Sequence, residues 1–321
     1  MSELTSEAIV SAGVREKAIS FSVEGQSVNG IIASPENGTP KGAIVFSHGW
    51  SGFRSGPADL LTYLARTFAA NGYASLRFDY RGRGESGGDG LAASLVTMAD
   101  DLVGAVAAIK EETGFDKPIL CGLCSGGNVV VGTLKRIPQA KALLLMSVYP
   151  FSDGDAFGRD IHRTFHYLAV YWQKLWRKDT WSRFFKGDVS LKSVCNVIFG
   201  HFLKRGANKK KEEGAAAAQP AEEGKTKLPK AAKAAAVESR SQDKEPPKKH
   251  LANLRPDLPA IMLYGLADPD ASAAIKYFGD YINENKLPIQ MHTIEGANHN
   301  FSSREWRNII EERMLSFLST L

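Results

Sequence analysis

The chain has 321 residues, of which 43% are hydrophobic and 23% are charged, a balance typical of a soluble globular protein. Its three cysteines argue against a disulfide framework, and no run approaches the roughly eighteen apolar residues of a membrane-spanning helix. The formal net charge is +5, but residues 206–250 hold eleven Lys/Arg against seven Asp/Glu. The rest of the chain is close to neutral, so we expect no nucleic-acid partner.

Short β-prone runs alternate with amphipathic helical segments along both ends of the chain. A hairpin is expected first, from Ala18–Val23 and Val28–Ala33 around Gly25. The later predicted strands are Ala43–Phe46, Ala74–Phe78, Ile119–Leu123, Ala142–Val148, Ala260–Tyr264 and Ile289–Ile294. The predicted helices are Asp59–Ala70, Leu91–Glu112, Gly126–Arg136, Ala271–Asn285 and Ser303–Leu318. This alternation predicts an α/β fold with a mostly parallel sheet of about eight strands, covered by helices on both faces.

The alternation stops between Tyr149 and Leu258. Residues 151–205 are rich in aromatic and basic side chains, and we interpret them as a helical cap. Residues 206–250 are an Ala/Lys/Glu/Pro segment without aromatics, which cannot bury enough apolar surface to offset its ordering entropy, so we expect disorder there. The predicted core is therefore discontinuous and consists of residues 15–150 and 255–321.

Residues 121–127 read Cys-Gly-Leu-Cys-Ser-Gly-Gly and follow a short apolar run. Small–x–nucleophile–x–small is the spacing of a nucleophile elbow, a sharp strand-to-helix turn that holds the central side chain outward. Glycine is wanted two residues before and after the nucleophile, and Gly122 and Gly126 meet that demand only if Cys124 is the nucleophile. Ser125 in that role would put Leu123 where almost no side chain fits.

Two other interpretations of the same heptad are weaker. Cys121 and Cys124 have the spacing of a redox pair, but Cys121 falls within the predicted strand and is better explained as a small buried hydrophobe. Zinc binding would use three scattered cysteines without ligand spacing, so no metal or other cofactor is expected.

A cysteine nucleophile needs a base and a group that orients the base. Asp268 ends the turn Gly265-Leu266-Ala267-Asp268 after predicted strand Ala260–Tyr264, and His299 lies in the loop after Ile289–Ile294. Because the carboxyl ends of parallel strands meet at one edge of a sheet, Cys124, Asp268 and His299 can converge there. Asp270 competes with Asp268 for the acid but is better placed to begin the next helix.

The oxyanion of an acyl-transfer reaction needs two N–H donors. We assign one to the backbone of Ser125, at the start of the helix that leaves the elbow. The other is assigned to the backbone of Trp50, in the glycine-containing loop after the strand that ends at Phe46. The indole of Trp50 would then line the acyl pocket. His48, in the same loop, is expected to have a structural role, as are Asp79 and Arg81.

Together these motifs resemble the α/β-hydrolase superfamily, and within it the esterase, lipase and serine-aminopeptidase-like branch. The residues that carry the resemblance are His48-Gly49-Trp50, the Asp79–Ser86 run, the elbow, Asp268 and His299. The resemblance covers about residues 15–150 and 255–321. Most members have serine at the elbow, whereas Cys124 is similar to the cysteine of dienelactone hydrolases and polyhydroxyalkanoate synthases.

The resemblance implies hydrolysis of a small-molecule carboxylic ester or thioester, with lactones included, through an acyl-cysteine intermediate. An acyltransferase using the same intermediate and an inactive, capped ligand-binding module are the alternatives. The N-terminal residues carry three glutamates and no long apolar core, so we expect no signal peptide and a cytoplasmic location. Lipid contact through the aromatic cap is the minority interpretation, and the sequence leaves the oligomeric state open.

Overall fold

A computed structural model describes residues 6–50, 52–149 and 251–321, and these form a nine-stranded sheet with helices on both faces. The strands are β1 (Glu7–Ser11), β2 (Val14–Val23), β3 (Gln26–Pro35), β4 (Ala43–Ser47), β5 (Ala74–Phe78), β6 (Ile119–Leu123), β7 (Ala142–Met146), β8 (Ala260–Gly265) and β9 (Ile289–Ile294). The longer helices in this part of the chain are α1 (Leu60–Ala70), α2 (Leu95–Thr113), α3 (Ser125–Thr133), α4 (Ala271–Asn285) and α5 (Arg304–Leu318).

The sheet combines an antiparallel end with a parallel body, in the order β1-β2-β3-β5-β4-β6-β7-β8-β9. β1, β2 and β3 pair antiparallel, and β3 pairs antiparallel with β5. From β5 to β9 every neighbouring pair is parallel. The carboxyl ends of β4, β6, β7, β8 and β9 therefore lie along one edge, where α/β sheets place their ligand sites.

The side chains of the central strands point alternately to the two faces of the sheet, and they form two layers of the core. On β6, Leu120 joins a cluster with buried residues of α2, α3 and α4, whereas Ile119 and Cys121 join a cluster with α1 and α5. Successive side chains of a strand point to opposite faces, so a strand covered on both faces reads as a continuous apolar run. This explains why every residue of β4, β5, β6, β7 and β8 is buried.

Local capping chemistry sets the ends of two helices. The Ser94 hydroxyl accepts the Thr97 N–H at 3.2 Å, and the Thr97 hydroxyl accepts the Ser94 N–H at 2.9 Å, which is a capping box at the start of α2. Gly114 ends that helix with φ +79°, a conformation that favours glycine. The Ser303 hydroxyl accepts the Trp306 N–H at 3.2 Å and caps α5.

The predicted mostly parallel sheet covered by helices on both faces is confirmed, with one strand more than the eight expected. The additional strand is β1, whose residues are exposed or half-buried and therefore show little hydrophobic pattern. Helix α2 begins at Leu95, not Leu91, because a separate short 3₁₀ turn covers Gly90–Ala92.

The predicted helical cap at 151–205 and the predicted disordered segment at 206–250 lie outside the described residues, and so does any lipid contact made by the cap. Where the description resumes, Leu251, Leu254 and Leu258 are buried in the core cluster that contains α3. No helix within the described ranges is long and apolar enough to cross a membrane.

Candidate active site

The turn from β6 into α3 is made by Cys124, whose backbone has φ +57° and ψ −128°. A residue other than glycine in such a conformation costs about 1–3 kcal/mol, which the surrounding structure must hold in place. The Cys124 N–H donates to the Met146 carbonyl at 2.9 Å, which fastens the turn to the end of β7. The strained residue of the elbow is therefore Cys124.

The expected need for glycine on both sides of Cys124 is confirmed. A Cβ on Gly122 would lie 2.5 Å from the Gly127 Cα, and one on Gly126 would lie 2.2 Å from the Ser47 carbonyl oxygen. Both neighbours are backbone atoms, which cannot move aside as a flexible side chain can. Ser125 instead occupies the first position of α3 and is fully buried.

The loops after β8 and β9 bring an acid and a histidine together. His299 Nδ1 lies 2.6 Å from Asp268 Oδ2, and the other Asp268 oxygen accepts the Asp270 N–H at 3.0 Å. Asp270 stands at the N-terminal end of α4, as expected. Because an N–H is held on each carboxylate oxygen, Asp268 is the residue placed to orient the imidazole.

Close packing of the two loops fixes this pair. The Ala267 N–H donates to the Ala297 carbonyl at 2.8 Å, and a Cβ on Gly265 would lie 2.3 Å from that same oxygen. The Ser147 hydroxyl donates to the His299 carbonyl at 2.9 Å, which ties the histidine loop to the end of β7. The three strand ends therefore hold His299 in one position.

Cys124 and His299 each shift the pKa of the other. Burial alone would raise the pKa of Cys124, but the hydrogen bond and charge of His299, together with the Ser125 N–H and the Tyr149 side chain, bring that pKa below its ordinary value. Burial would lower the pKa of His299, but hydrogen bonds and charges from Asp268 and Cys124 raise it to about 10. Both shifts favour the charged forms, a thiolate on Cys124 and an imidazolium on His299.

Cys121 has none of these contacts. It is fully buried, free of disulfides, and burial raises the pKa of its thiol. A buried neutral thiol in the middle of a strand is a packing residue, which agrees with the structural interpretation of Cys121. Within the described ranges, no three His, Cys, Asp or Glu side chains cluster as metal ligands.

Both backbone donors assigned to the oxyanion lie at the elbow. The Trp50 N–H donates to the Ser125 hydroxyl at 2.6 Å, and the Ser125 N–H is one of the groups that lower the pKa of Cys124. A Cβ on Gly49 would lie 3.4 Å from the Cys124 Cβ, so the loop after β4 passes directly beside the elbow. The sequence did not indicate that the Ser125 side chain bridges the two segments.

The structural roles expected for His48 and Asp79 are confirmed. His48 Nδ1 donates to the Gly49 carbonyl at 2.8 Å, and burial lowers the pKa of His48 to about 4, which keeps it neutral. Asp79 accepts the Arg54 N–H at 2.7 Å and also pairs with the Arg54 guanidinium. Arg81 makes an ion pair with the buried carboxylate of Asp101. These contacts shape the loops after β4 and β5.

Tyr149 is a site residue that the sequence did not single out. Its ring centroid lies 6.2 Å from that of His299 with a 52° tilt, and its side chain is one of the groups that lower the pKa of Cys124. The sequence showed only an aromatic residue where the predicted insertion begins. Tyr149 lies near the elbow because β7 pairs with β6 in the sheet. A local sequence motif cannot predict this pairing.

The strained elbow, the acid and histidine loops, and the strand order together are features of the α/β-hydrolase fold. The family model described as serine aminopeptidase, S33 (Hydrolase_4) matches residues 38–176. Two curated Escherichia coli proteins, each described as an uncharacterized 31.7 kDa protein in the traX-finO intergenic region, are 31% identical over 123 residues. That match spans 38% of this chain and 41% of the length of those relatives.

Solved structures of the same fold align over most of the chain. A carboxyl esterase from Bacillus coagulans, in complex with glycerol, is 14% identical with a TM-score of 0.60 and is covered over 98% of its length and 95% of this chain. A dienelactone hydrolase from Anabaena variabilis is 14% identical with a TM-score of 0.53, covering 95% of that chain and 94% of this one. The chain has the fold of the α/β-hydrolases, as the sequence predicted.

Proposed function

We propose that this protein hydrolyses carboxylic esters of small molecules through an acyl-thioester formed on Cys124. The observation that supports the proposal most strongly is the hydrogen bond of 2.6 Å between Asp268 and His299, together with the effect of His299 on the strained Cys124, whose pKa it lowers. The esterase and dienelactone hydrolase among the structural neighbours make an ester the first substrate class to test.

The first half of the proposed reaction uses the ion pair. The Cys124 thiolate attacks the acyl carbonyl carbon, an S–C bond forms, and the carbonyl electron pair moves to the oxygen. When that intermediate collapses, the bond to the leaving-group oxygen breaks and His299 gives its proton to that oxygen. His299 therefore acts first as a general acid, because the proton already lies on the imidazole at rest.

The second half regenerates the ion pair. Neutral His299 takes a proton from water, and the water oxygen attacks the thioester carbonyl. The S–C bond breaks, Cys124 leaves as a thiolate, and the acid product departs. Asp268 holds the imidazole in one tautomer in both halves, because its carboxylate accepts the Nδ1–H.

Two backbone N–H groups are proposed to stabilise the oxyanion, those of Ser125 and Trp50. The Ser125 N–H lowers the pKa of Cys124 at rest, and we expect it to turn to the new oxyanion as charge leaves the sulfur. The Trp50 N–H must exchange the Ser125 hydroxyl for the oxyanion, and this exchange costs one hydrogen bond of 2.6 Å. Ser125→Ala removes that competing acceptor and leaves both backbone donors in place.

A thiolate also suits thioesters and lactones, because it attacks activated acyl groups well and ordinary amides poorly. We include both in the proposed substrate range. An alcohol or thiol in place of water at the second step would make the protein an acyltransferase, and the same intermediate would form.

Acyl trapping tests the proposal on the full chain. The protein is mixed with p-nitrophenyl esters of increasing chain length and with acetyl-CoA, quenched in acid, and read by intact-protein and peptide mass spectrometry. We expect one acyl group on Cys124, present in Cys121→Ala and absent in Cys124→Ala. An adduct on Ser125, or the combination of no adduct and no turnover with any ester, overturns the proposal; the second result indicates a ligand-binding module.

A further inference from the structure

Two arginines of the loop after β5 lie in different electrostatic surroundings. Arg81 forms ion pairs with the buried carboxylate of Asp101 and, at 2.6 Å, with Glu24. Arg83 has no carboxylate within ion-pair distance in the described part of the chain, and its buried Nε atom has no hydrogen-bond partner there. A cation that is partly removed from water costs free energy, and an anion bound beside it would offset that cost.

The backbone around Arg83 is held tightly. Its N–H donates to the Tyr80 carbonyl at 3.0 Å, and its carbonyl accepts the Ser86 N–H at 2.9 Å. The next residue, Gly84, has φ +52°, and a Cβ there would lie 2.2 Å from Oδ2 of Asp79. The fold of the loop, and not an ion pair, therefore sets the place from which the Arg83 side chain extends.

The Arg83 guanidinium lies over the indole of Trp50, with 5.4 Å between its Cζ atom and the ring centroid. A cation at this distance is attracted to the face of an aromatic ring. The Trp50 backbone N–H donates to the Ser125 hydroxyl at 2.6 Å, and a Cβ on the preceding Gly49 would lie 3.7 Å from the Cys124 sulfur. Trp50 therefore contacts the elbow through its backbone and Arg83 through its side chain.

Apolar surface is exposed beside this cation. The side chain of Arg83 is only half-buried, Trp50 is 38% exposed, and Phe53 of the same loop as Trp50 is 56% exposed. A guanidinium presents two parallel N–H donors that match the oxygens of a carboxylate or a phosphate. The loops after β4 and β5 therefore offer a cation next to aromatic surface, which fits a ligand with an apolar body and an anionic end.

We propose that Arg83 is a specificity-determining residue, whose guanidinium binds a second, anionic oxygen group of the substrate while the acyl carbonyl lies at Cys124. The anionic group is a carboxylate or a phosphate, and the substrate is an ester or thioester that carries it. The inference rests on the proposed function, because it names the kind of ester that the same site accepts.

Charged and neutral alkylating reagents test this inference without any ester. Maleimides that carry a carboxylate on arms of increasing length (maleimido-propionate, maleimido-butyrate and maleimido-hexanoate) are compared with the primary amides of the same acids. The rate of modification of Cys124 in the full-length protein is measured at neutral pH by peptide mass spectrometry. The ratio of the two rates is formed for each arm length. A change in the thiolate fraction of Cys124 acts on both reagents and cancels from this ratio.

Arg83→Met removes the guanidinium and keeps a long apolar side chain over the indole. We expect the carboxylate-to-amide ratio at the best arm length to fall by about tenfold in this variant. Arg313→Met is the matched control, because it removes the same charge from an exposed position on α5, and its ratio should stay at the wild-type value. A ratio in folded Arg83→Met that equals the wild-type ratio at every arm length overturns the inference.

Protection of the wild type gives a second measurement that needs no variant. Hexanoate and hexyl phosphate, which share one apolar chain, are added as competitors of the carboxylate reagent, with hexanol as the neutral control. Protection of Cys124 by either anion and not by hexanol supports the inference, and the stronger competitor identifies the anionic group. Equal protection by all three, or by none, overturns it. Because alkylation involves no turnover, a missing acyl adduct with every ester would refute the proposed hydrolysis separately.

Discussion

Cys121 and Cys124 are two residues of one short segment that lie in opposite environments. Cys121 lies within β6, where burial is the cause that raises the pKa of its thiol. Cys124 lies at the turn, where burial acts in the same direction but the donors His299, Ser125 and Tyr149 outweigh it. Both sites remove a thiol from water, so burial alone does not decide which cysteine is reactive. The difference lies in the hydrogen-bond donors that the turn makes available.

The turn provides those donors because it lies at the carboxyl edge of the parallel strands. A side chain in the middle of β6 contacts only the apolar layers on either face of the sheet. At the end of the strand, Cys124 meets the loops after β7 and β9 and the first N–H of α3. Displacement by three residues along the chain therefore separates a thiol whose pKa is raised from one whose pKa is lowered.

His299→Gln is the change that brings Cys124 closest to the state of Cys121. It removes the cation that stabilises the thiolate and also removes the proton donor for the leaving group. We expect ester turnover to fall about 10³-fold, with the midpoint of Cys124 alkylation moving up toward that of an ordinary thiol. Stopped-flow release of p-nitrophenol measures the first effect, and peptide mass spectrometry measures the second. Wild-type turnover in a folded His299→Gln would contradict the role given to the imidazole.

Asp268→Asn tests the carboxylate that hydrogen-bonds to the His299 imidazole. We expect a smaller loss of turnover than in His299→Gln. The imidazole remains, but it loses the carboxylate that raises its pKa and fixes its tautomer. We expect a loss of about 10²-fold in turnover and a downward shift of the basic limb of the pH–rate profile, which the wild type should show near the His299 pKa of about 10.

Asp270→Asn is the matched control, two residues along the same loop. The Asp270 backbone N–H that contacts Asp268 is retained in this variant, so its pH–rate profile should keep the wild-type limbs. If Asp270→Asn shifts the basic limb and Asp268→Asn does not, the acid has been assigned to the wrong residue.

Cys121→Ala should have the smallest effect of the series. The change removes a buried sulfur from the layer beneath α1 and α5 and leaves every contact of Cys124 in place. We expect turnover within about twofold of the wild type and a loss of stability of about 1 kcal/mol, measured by urea denaturation. A large loss of turnover with the stability unchanged would revive the redox-pair interpretation.

Hydrophobic runs predicted most of the fold, because buried parallel strands are apolar throughout. Strand Ile119–Leu123 and helix Ala271–Asn285 have the bounds that the sequence indicated. Strand β1 was missed because Glu7–Ser11 lies at the sheet edge, where little of it is buried and no alternation develops. Local pattern thus predicts strands that are covered on both faces and fails at the exposed end of the sheet.

The candidate site divides in a similar way. The sequence indicated Cys124, Asp268 and His299 because each one lies in the turn or loop after a recognisable strand. Tyr149 also follows a strand, but an aromatic residue there has no distinctive neighbours, and its position beside His299 follows a bend at Ser147. The hydrogen bond from the Trp50 N–H to the Ser125 hydroxyl likewise joins two segments that are distant in sequence, so no motif spacing could predict it.

The pH dependence of alkylation at the two native cysteines tests the ion pair most directly. Wild-type protein is treated with iodoacetamide from about pH 5 to about pH 10, and each cysteine is quantified by peptide mass spectrometry. We predict rapid modification of Cys124 already at neutral pH, with a midpoint below the ordinary thiol value, and protection of Cys121 until the protein is unfolded in urea. A Cys124 profile that coincides with that of the urea-unfolded chain would contradict the thiolate–imidazolium pair.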